Sequence, residues 1–389
     1  MRTGLERVLD FTVVAFAAAL PLSIAASEIL LGVSLVAWLF TRPWTRPQAP
    51  GVKPLLVATI ALASSWLLSS AFSPLPVESL IHARKLYSVA IVFLLADWGR
   101  DPVRARRFLT AALAGAGLTA LLGFAQMVRD WQDQRDLIGV FSNGMTTGNV
   151  LATLVVVAAA ALLWRAARGR ERVIHAIAFG LTAIALVLAL RRSAWLAVMG
   201  GALVLIGLKR ARWLLAVPVL VALVLAFGPQ HVRDRAWQLA HPVDETATGR
   251  VSLWKSGLEA YKDHPVVGAG LQDGLPLIAR YRRADATFVA GHFHNNWVQI
   301  AVSTGTIGLL AYTAWMAIAG FFLWRAWRTS RSALGAAGFA VWVAFQIHGL
   351  FDFSFGDVEV VNQLFTWTGL GLAAARPKGE PSLTGKSAV

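Results

Sequence analysis

No cysteine occurs among the 389 residues. That excludes disulfides, thiolate nucleophiles and cysteine-bound metals, and says little about compartment. Charge is scarce too: Asp, Glu, Lys and Arg make up 15% of the chain, against about 25% in a soluble domain. The shortage falls on the acids, 21 against 36 basic residues, for a net charge of +15. In a soluble protein that sign would suggest nucleic acid. Here 57% of residues are hydrophobic and the mean hydropathy is +0.59. The basic residues concentrate in short connections between apolar runs, where they set membrane orientation. Tandem repeats are absent, and low complexity is limited to Ala/Leu/Val runs.

What is present is a series of apolar runs, each able to cross a hydrocarbon core of about 30 Å as a helix. Run length predicts about twelve spans, at 10–26, 28–41, 54–72, 83–97, 108–127, 148–165, 173–190, 193–208, 212–228, 295–325, 333–351 and 362–375. Arg2 and Arg7 before the first run give it the look of a cleavable signal peptide. The spans that follow make it the first membrane helix instead. Basic clusters alternate along the chain: Arg42, Arg46 and Lys53; Arg100, Arg104, Arg106 and Arg107; Arg165 to Arg172; Lys209 to Arg212; Arg325 to Arg331. The intervening connections are Ser27-Glu28, the charge-balanced 128–147 segment and the acidic 352–359 stretch. This alternation predicts that both termini are cytoplasmic and that the 228–293 loop lies outside. The expected organisation is therefore an all-α polytopic membrane protein: helices 1–9 over 1–227, a polar outer loop over 228–293, helices 10–12 over 294–375, and a disordered cytoplasmic tail over 376–389.

The outer loop is the long polar segment of the chain. It and its exit hold five of the eight histidines: His231, His241, His264, His292 and His294. Around it stand the residues able to carry chemistry. Arg191 and Arg192 break the orientation pattern at the outer end of the seventh span, with no acidic neighbour in sequence. They read either as snorkelling interfacial anchors or as a phosphate site, since a guanidinium donates two parallel hydrogen bonds. Arg250 opens a helix expected over 248–262, with Val251, Trp254, Leu258 and Tyr261 on one apolar face. Pro265 ends it. Arg250 is either a solvated surface arginine or a residue holding an anion at the helix start. His294 stands where the loop re-enters the membrane, followed by Asn295 as helix N-cap. An imidazole there suits a general base near neutral pH, though a structural histidine is the simpler reading. His292 and His294 could chelate a metal, but no third ligand is adjacent. Gly268-Ala-Gly270 is too short for a phosphate loop, and a turn explains it. Asp352, Asp357 and Glu359 could bind a divalent cation or simply form an acidic outer loop.

Five motifs occur in order: Arg-Ser-Ala-Trp-Leu at 192–196, Gly-Arg-x-x-Leu-Trp at 249–254, Pro-x-x-Gly-x-Gly at 265–270, His-Asn at 294–295 and Gly-x-x-Gly at 305–308. On a twelve-helix frame with one large outer loop, this pattern resembles the O-antigen ligase and polymerase superfamily. The compact length and single loop resemble the ligase branch more. The resemblance implies a C-type glycosyltransferase-like fold in the bacterial inner membrane, with a periplasmic active site. It implies metal-independent, inverting transfer of O-antigen from undecaprenyl diphosphate to lipid A-core, with no cofactor and no nucleic-acid partner. By position, His294 corresponds to the family's essential histidine, Arg250 to its loop arginine, and the Arg191–Arg192 pair to the arginine at the end of a membrane helix. An O-antigen polymerase or protein O-oligosaccharyltransferase of the same superfamily is the alternative. A polysaccharide transporter or flippase is the other, though such folds usually show paired half-repeats and broken helices near the bilayer midplane.

Overall fold

The computed structural model describes residues 4–130, 137–141, 143–215, 222, 226, 227, 230, 233, 245–272, 274–283 and 291–375. His231, His241, most of the expected ninth span and the tail over 376–389 lie outside them. Fourteen α-helices are described, and no strand is found among the described residues. They are α1 (Gly4–Ala19), α2 (Ile24–Phe40), α3 (Val52–Ala71), α4 (Pro76–Ala83), α5 (Ala90–Trp98), α6 (Pro102–Arg129), α7 (Gly144–Leu163), α8 (Gly169–Leu188), α9 (Arg192–Arg210), α10 (Glu245–Asp263), α11 (Gly274–Arg280), α12 (Asn296–Ser330), α13 (Ala333–His348) and α14 (Val358–Ala373).

Among the described residues, seven helical segments are long and apolar enough to cross a membrane: Val52–Ala71, Pro76–Trp98, Pro102–Arg129, Gly144–Leu163, Gly169–Leu188, Arg192–Leu214 and Asn296–Ser330. Two shorter apolar helices, α2 and α13, stand with them. Large side chains such as Phe11, Ile29, Val57, Ile60, Leu118 and Ile184 point outward. A soluble surface does not carry apolar area on that scale, so the molecule is a polytopic membrane protein. The first break falls earlier than the sequence suggested. Pro21 interrupts the run, and Ser23 caps α2 by accepting from the Ala26 N–H at 3.3 Å. Ser27 and Glu28, expected in a connection, therefore lie inside α2.

The basic connections meet at one end of the bundle. Arg46 pairs with Asp97 at 3.2 Å, Arg104 with Asp10 at 2.8 Å and Arg106 with Glu171 at 3.4 Å. The opposite end gathers Glu28, Asp352, Asp357, His294 and Asn362. Between them runs an aromatic column in edge-to-face contact, Trp315–Phe365–Phe355–Tyr312–Trp297, with centroids 5.0–6.1 Å apart. Such pairs add to the stabilisation from burial alone. At the centre lies α7, with 83% of its apolar stretch buried against 22–56% in the other spanning segments. It packs on α8, α9, α13 and α14.

α12 has 35 residues, about 50 Å of helix, more than a bilayer core needs. It is broken at Gly305, whose φ of 63° and ψ of −166° are open to glycine but not to other residues. The break frees backbone groups, and the Pro265–Gly270 segment satisfies them. Ala269 N donates to Val302 O at 2.8 Å and Gly270 N to Ser303 O at 3.0 Å, while Thr306 N donates to Pro265 O at 2.8 Å. A Cβ on Gly268 would lie 2.4 Å from Ser303 O. The Pro-x-x-Gly-x-Gly and Gly-x-x-Gly motifs are thus two halves of one backbone clasp, not a separate turn. Ser69 on α3 ties it down, donating to Ser303 O at 2.6 Å, and Ser79 on α4 accepts from Leu271 N at 2.8 Å.

Candidate functional site

His294 is the residue before the cap of α12. Its φ of +48° is left-handed, an uncommon conformation for a non-glycine residue and one that often marks a functional constraint. Neighbouring asparagines hold it there. The Asn295 side chain accepts from Trp297 N at 2.8 Å and Val298 N at 3.1 Å, the cap expected from sequence, and also donates to Leu350 O at 3.1 Å. Asn296 N donates to Gly349 O at 2.7 Å, and its side chain accepts from Phe355 N at 3.0 Å. The start of α12 therefore clamps the 349–355 turn beside it.

That clamp delivers Asp352. Its Oδ1 accepts from His294 Nδ1 at 3.1 Å and from Phe353 N at 2.9 Å, and its Oδ2 from Asn149 Nδ2 at 3.3 Å. Only 6% of Asp352 is exposed. Burial would raise its pKa, but the His294 hydrogen bond, together with His292 and His348, holds it at about 2. An ionised carboxylate only accepts hydrogen bonds. The proton in the His294–Asp352 contact therefore belongs to Nδ1, and in a neutral ring so held it is Nε2 that carries the lone pair. This is the arrangement of an oriented general base.

His292 sits against His294 with ring centroids 4.2 Å apart. Its Nδ1 accepts from the His294 backbone N–H at 3.2 Å, and its Nε2 lies 3.8 Å from Asp352 Oδ1. Burial lowers its pKa to about 4; the neighbouring His294 and Arg250 push the same way, and Asp352 opposes them. His292 is neutral near pH 7 as a result. The third ligand that the sequence lacked comes from 58 residues along the chain: donor atoms of His292, His294 and Asp352 lie within 4.8 Å of one another. Asp357 and Glu359 do not join Asp352 in a ligand cluster among the described residues. Asp357 instead accepts from Thr146 at 2.5 Å.

The arginines come from two directions. Arg250 lies near His292, on α10. That helix runs Glu245–Asp263, so Arg250 stands inside it rather than opening it. Its packing face also differs from the one expected. Ser252, Leu253, Ser256, Gly257 and Ala260 are buried, while Val251 is 43% and Leu258 53% exposed. The small residues let α10 approach α12 closely: a Cβ on Gly257 would sit 2.5 Å from Val298 Cγ1. Part of the larger apolar stripe is left to line a groove of about 440 Å³, with Trp254, Leu258 and Tyr261 on one wall and Trp297, Val298 and Leu309 on the other.

Arg191 precedes α9, and its side chain lies across α7. Cβ atoms added to Gly144 and Gly148 would stand 2.4 Å and 3.0 Å from it. Gly148 adjoins Asn149, the Asp352 partner, so Arg191 and Asp352 both pack on the first two turns of α7. Arg192 is the first residue of α9. Sequence reasoning singled out His294, Arg250, Arg191 and Arg192 as candidates, passed over Asn149 and left Asp352 as an acidic-loop residue. The signal for Asp352 was its place in that loop; a polar Asn149 in an apolar run was the signal for the other.

Residues 177–313 match the family model described as O-antigen ligase, a segment containing Arg191, Arg192, Arg250 and His294. The chain is also 38% identical over 84 residues to the exopolysaccharide production protein ExoQ of Rhizobium meliloti (strain 1021), a match covering 20% of this chain and 19% of that protein. Over this segment the chain is similar to the O-antigen ligase family, and the curated relative is matched over about a fifth of its length.

Proposed function

We propose that this membrane protein is an O-antigen ligase, a glycosyltransferase moving O-antigen from undecaprenyl diphosphate to lipid A-core at the periplasmic face of the bacterial inner membrane. The observation that carries this reading is the His294 Nδ1–Asp352 contact at 3.1 Å, which turns Nε2 into a base within the family-matched segment. In the reaction the acceptor hydroxyl oxygen attacks the anomeric carbon, and its proton passes to His294 Nε2. The bond from that carbon to the diphosphate oxygen breaks, its electron pair leaves with undecaprenyl diphosphate, and the anomeric configuration inverts. Arg250 and the Arg191–Arg192 pair hold the diphosphate and stabilise the charge that builds there, in the way preorganised donors do in poorly hydrated sites. The diphosphate supplies the driving force, so neither ATP nor a nicotinamide is needed, and the reading takes the transfer to be metal-independent, as the family resemblance implies. The apolar groove between α10 and α12 is lined from Trp254, one turn beyond Arg250, and from Trp297, three residues after His294, which suits a polyprenyl chain attached to a bound diphosphate. Alternation of basic connections supports cytoplasmic termini and an outer 228–293 loop.

His294→Ala tests the reading in purified protein given undecaprenyl-diphosphate-linked oligosaccharide and lipid A-core. Transfer should fall about 10²–10⁴-fold with the variant still inserted and folded; an unchanged rate ends the proposal. The relative's name, an exopolysaccharide production protein, favours a second reading in which the acceptor is another polysaccharide unit. Cell extracts separate the two. Loss of a ligase leaves long lipid-linked chains unattached, and loss of a polymerase leaves a single repeat on the core. Transfer in detergent without any gradient removes the transporter alternative.

A further inference from the structure

Asn149 is 1% exposed, in the second turn of α7, inside a run of otherwise apolar and small residues. Its Nδ2 reaches Asp352 Oδ2, while Oδ1 of the same carboxylate serves His294 and Phe353. A carboxylate torsion is broad and roughly two-fold. With only the His294 side held, the group could rotate and carry Oδ1 off the imidazole. Asn149 fixes the other oxygen from a separate helix. That helix is itself locked to the same turn, since Thr146 Oγ1 donates to Asp357 Oδ2 at 2.5 Å one turn earlier. On the adjacent face, Gly144 and Gly148 make room for Arg191. The first two turns of α7 thus grip the acid-bearing loop and seat the arginine, and they lie outside the family-matched 177–313 segment.

We propose that Asn149 is a positioning residue, acting through Asp352 to aim the His294 base, so that the unit is His294–Asp352–Asn149. The inference rests on His294 serving as base. Asn149 itself touches neither substrate nor reacting atoms. Its effect must therefore appear in the chemical step and must vanish once Asp352 can no longer transmit it.

The test is a double-mutant cycle in the full-length purified protein, with undecaprenyl-diphosphate-linked oligosaccharide as donor and lipid A-core as acceptor. Asn149→Leu keeps the branched outline and removes the donor; Asn149→Ala removes it without crowding, should the leucine variant fail to fold. We expect kcat to fall about 10–100-fold, the range for losing one hydrogen bond to a charged group, with the donor KM unchanged. In an Asp352→Asn background the same substitution should change nothing further. A wild-type kcat in the variant that folds, a raised KM at constant kcat, or a loss that multiplies with Asp352→Asn would each overturn the role. Were His294→Ala and Asp352→Asn to keep the wild-type rate, the base assignment would fall and take this one with it. If those two lose activity while Asn149 variants do not, only Asn149 is misplaced.

Discussion

Asp352→Asn is the sharpest perturbation the site offers. Three donors surround the carboxylate: His294 Nδ1, Phe353 N and Asn149 Nδ2. An amide has one oxygen, so its NH2 must face at least one of them. If it faces His294, the ring is driven to the other tautomer, with the proton on Nε2, where it cannot act as base. If it faces Asn149, two donors collide and the side chain shifts. The carboxylate is stabilised as an anion from an ordinary 3.8 to about 2, which at 1.36 kcal/mol per pKa unit is roughly 2–3 kcal/mol. The wrong tautomer carries the rate loss toward the full worth of the base, about 10²–10⁴-fold. Initial-rate transfer in detergent, read as product on a gel, measures it. Because the two residues act as one unit, His294→Ala/Asp352→Asn should be no slower than His294→Ala alone. A wild-type rate for Asp352→Asn, or losses that multiply in the double variant, would refute the coupling.

Arg250→Lys keeps the charge but loses the fork, and should lower kcat/KM at least about 10-fold; the same rate with either residue would place Arg250 outside the diphosphate site. Gly305→Ala forces a side chain into a conformation reserved for glycine and against Val266 O. It should cost at least about 1–3 kcal/mol, seen as a lower melting temperature in detergent. His292 has a folded pKa of about 4 below its ordinary 6.5. The unfolded chain therefore binds the extra proton between those values, and stability should decline as pH falls from about 6.5 to 4. Replacing His292 with Gln should flatten that part of a melting-temperature profile. A strong chelator should leave transfer unchanged if the reaction is metal-independent, as the family resemblance implies; a rate that falls with chelator and returns with a divalent cation would refute that.

Run length and charge placement were enough to specify an all-helical membrane protein, because spanning a bilayer constrains each segment locally. The sequence also marked His294, Arg250 and the Arg191–Arg192 pair, since polar residues stand out against apolar neighbours. Other features were decided by tertiary structure. Asp352 reaches His294 across 58 residues and Asn149 reaches Asp352 across 203; no local pattern encodes a partner at that distance. The packing face of α10 was misjudged for a related reason. Hydrophobic periodicity marks the side that avoids water, but in a membrane that side can face lipid, and small residues such as Ser256 and Gly257 are what allow one helix to lie against another. The glycine motifs likewise appeared as separate turns until the fold brought Gly268 against the break at Gly305. The chain alone thus marked the molecule as a bundle of apolar, membrane-crossing helices, and packing settled which polar groups meet there, because burying them requires partners that only the assembled bundle supplies.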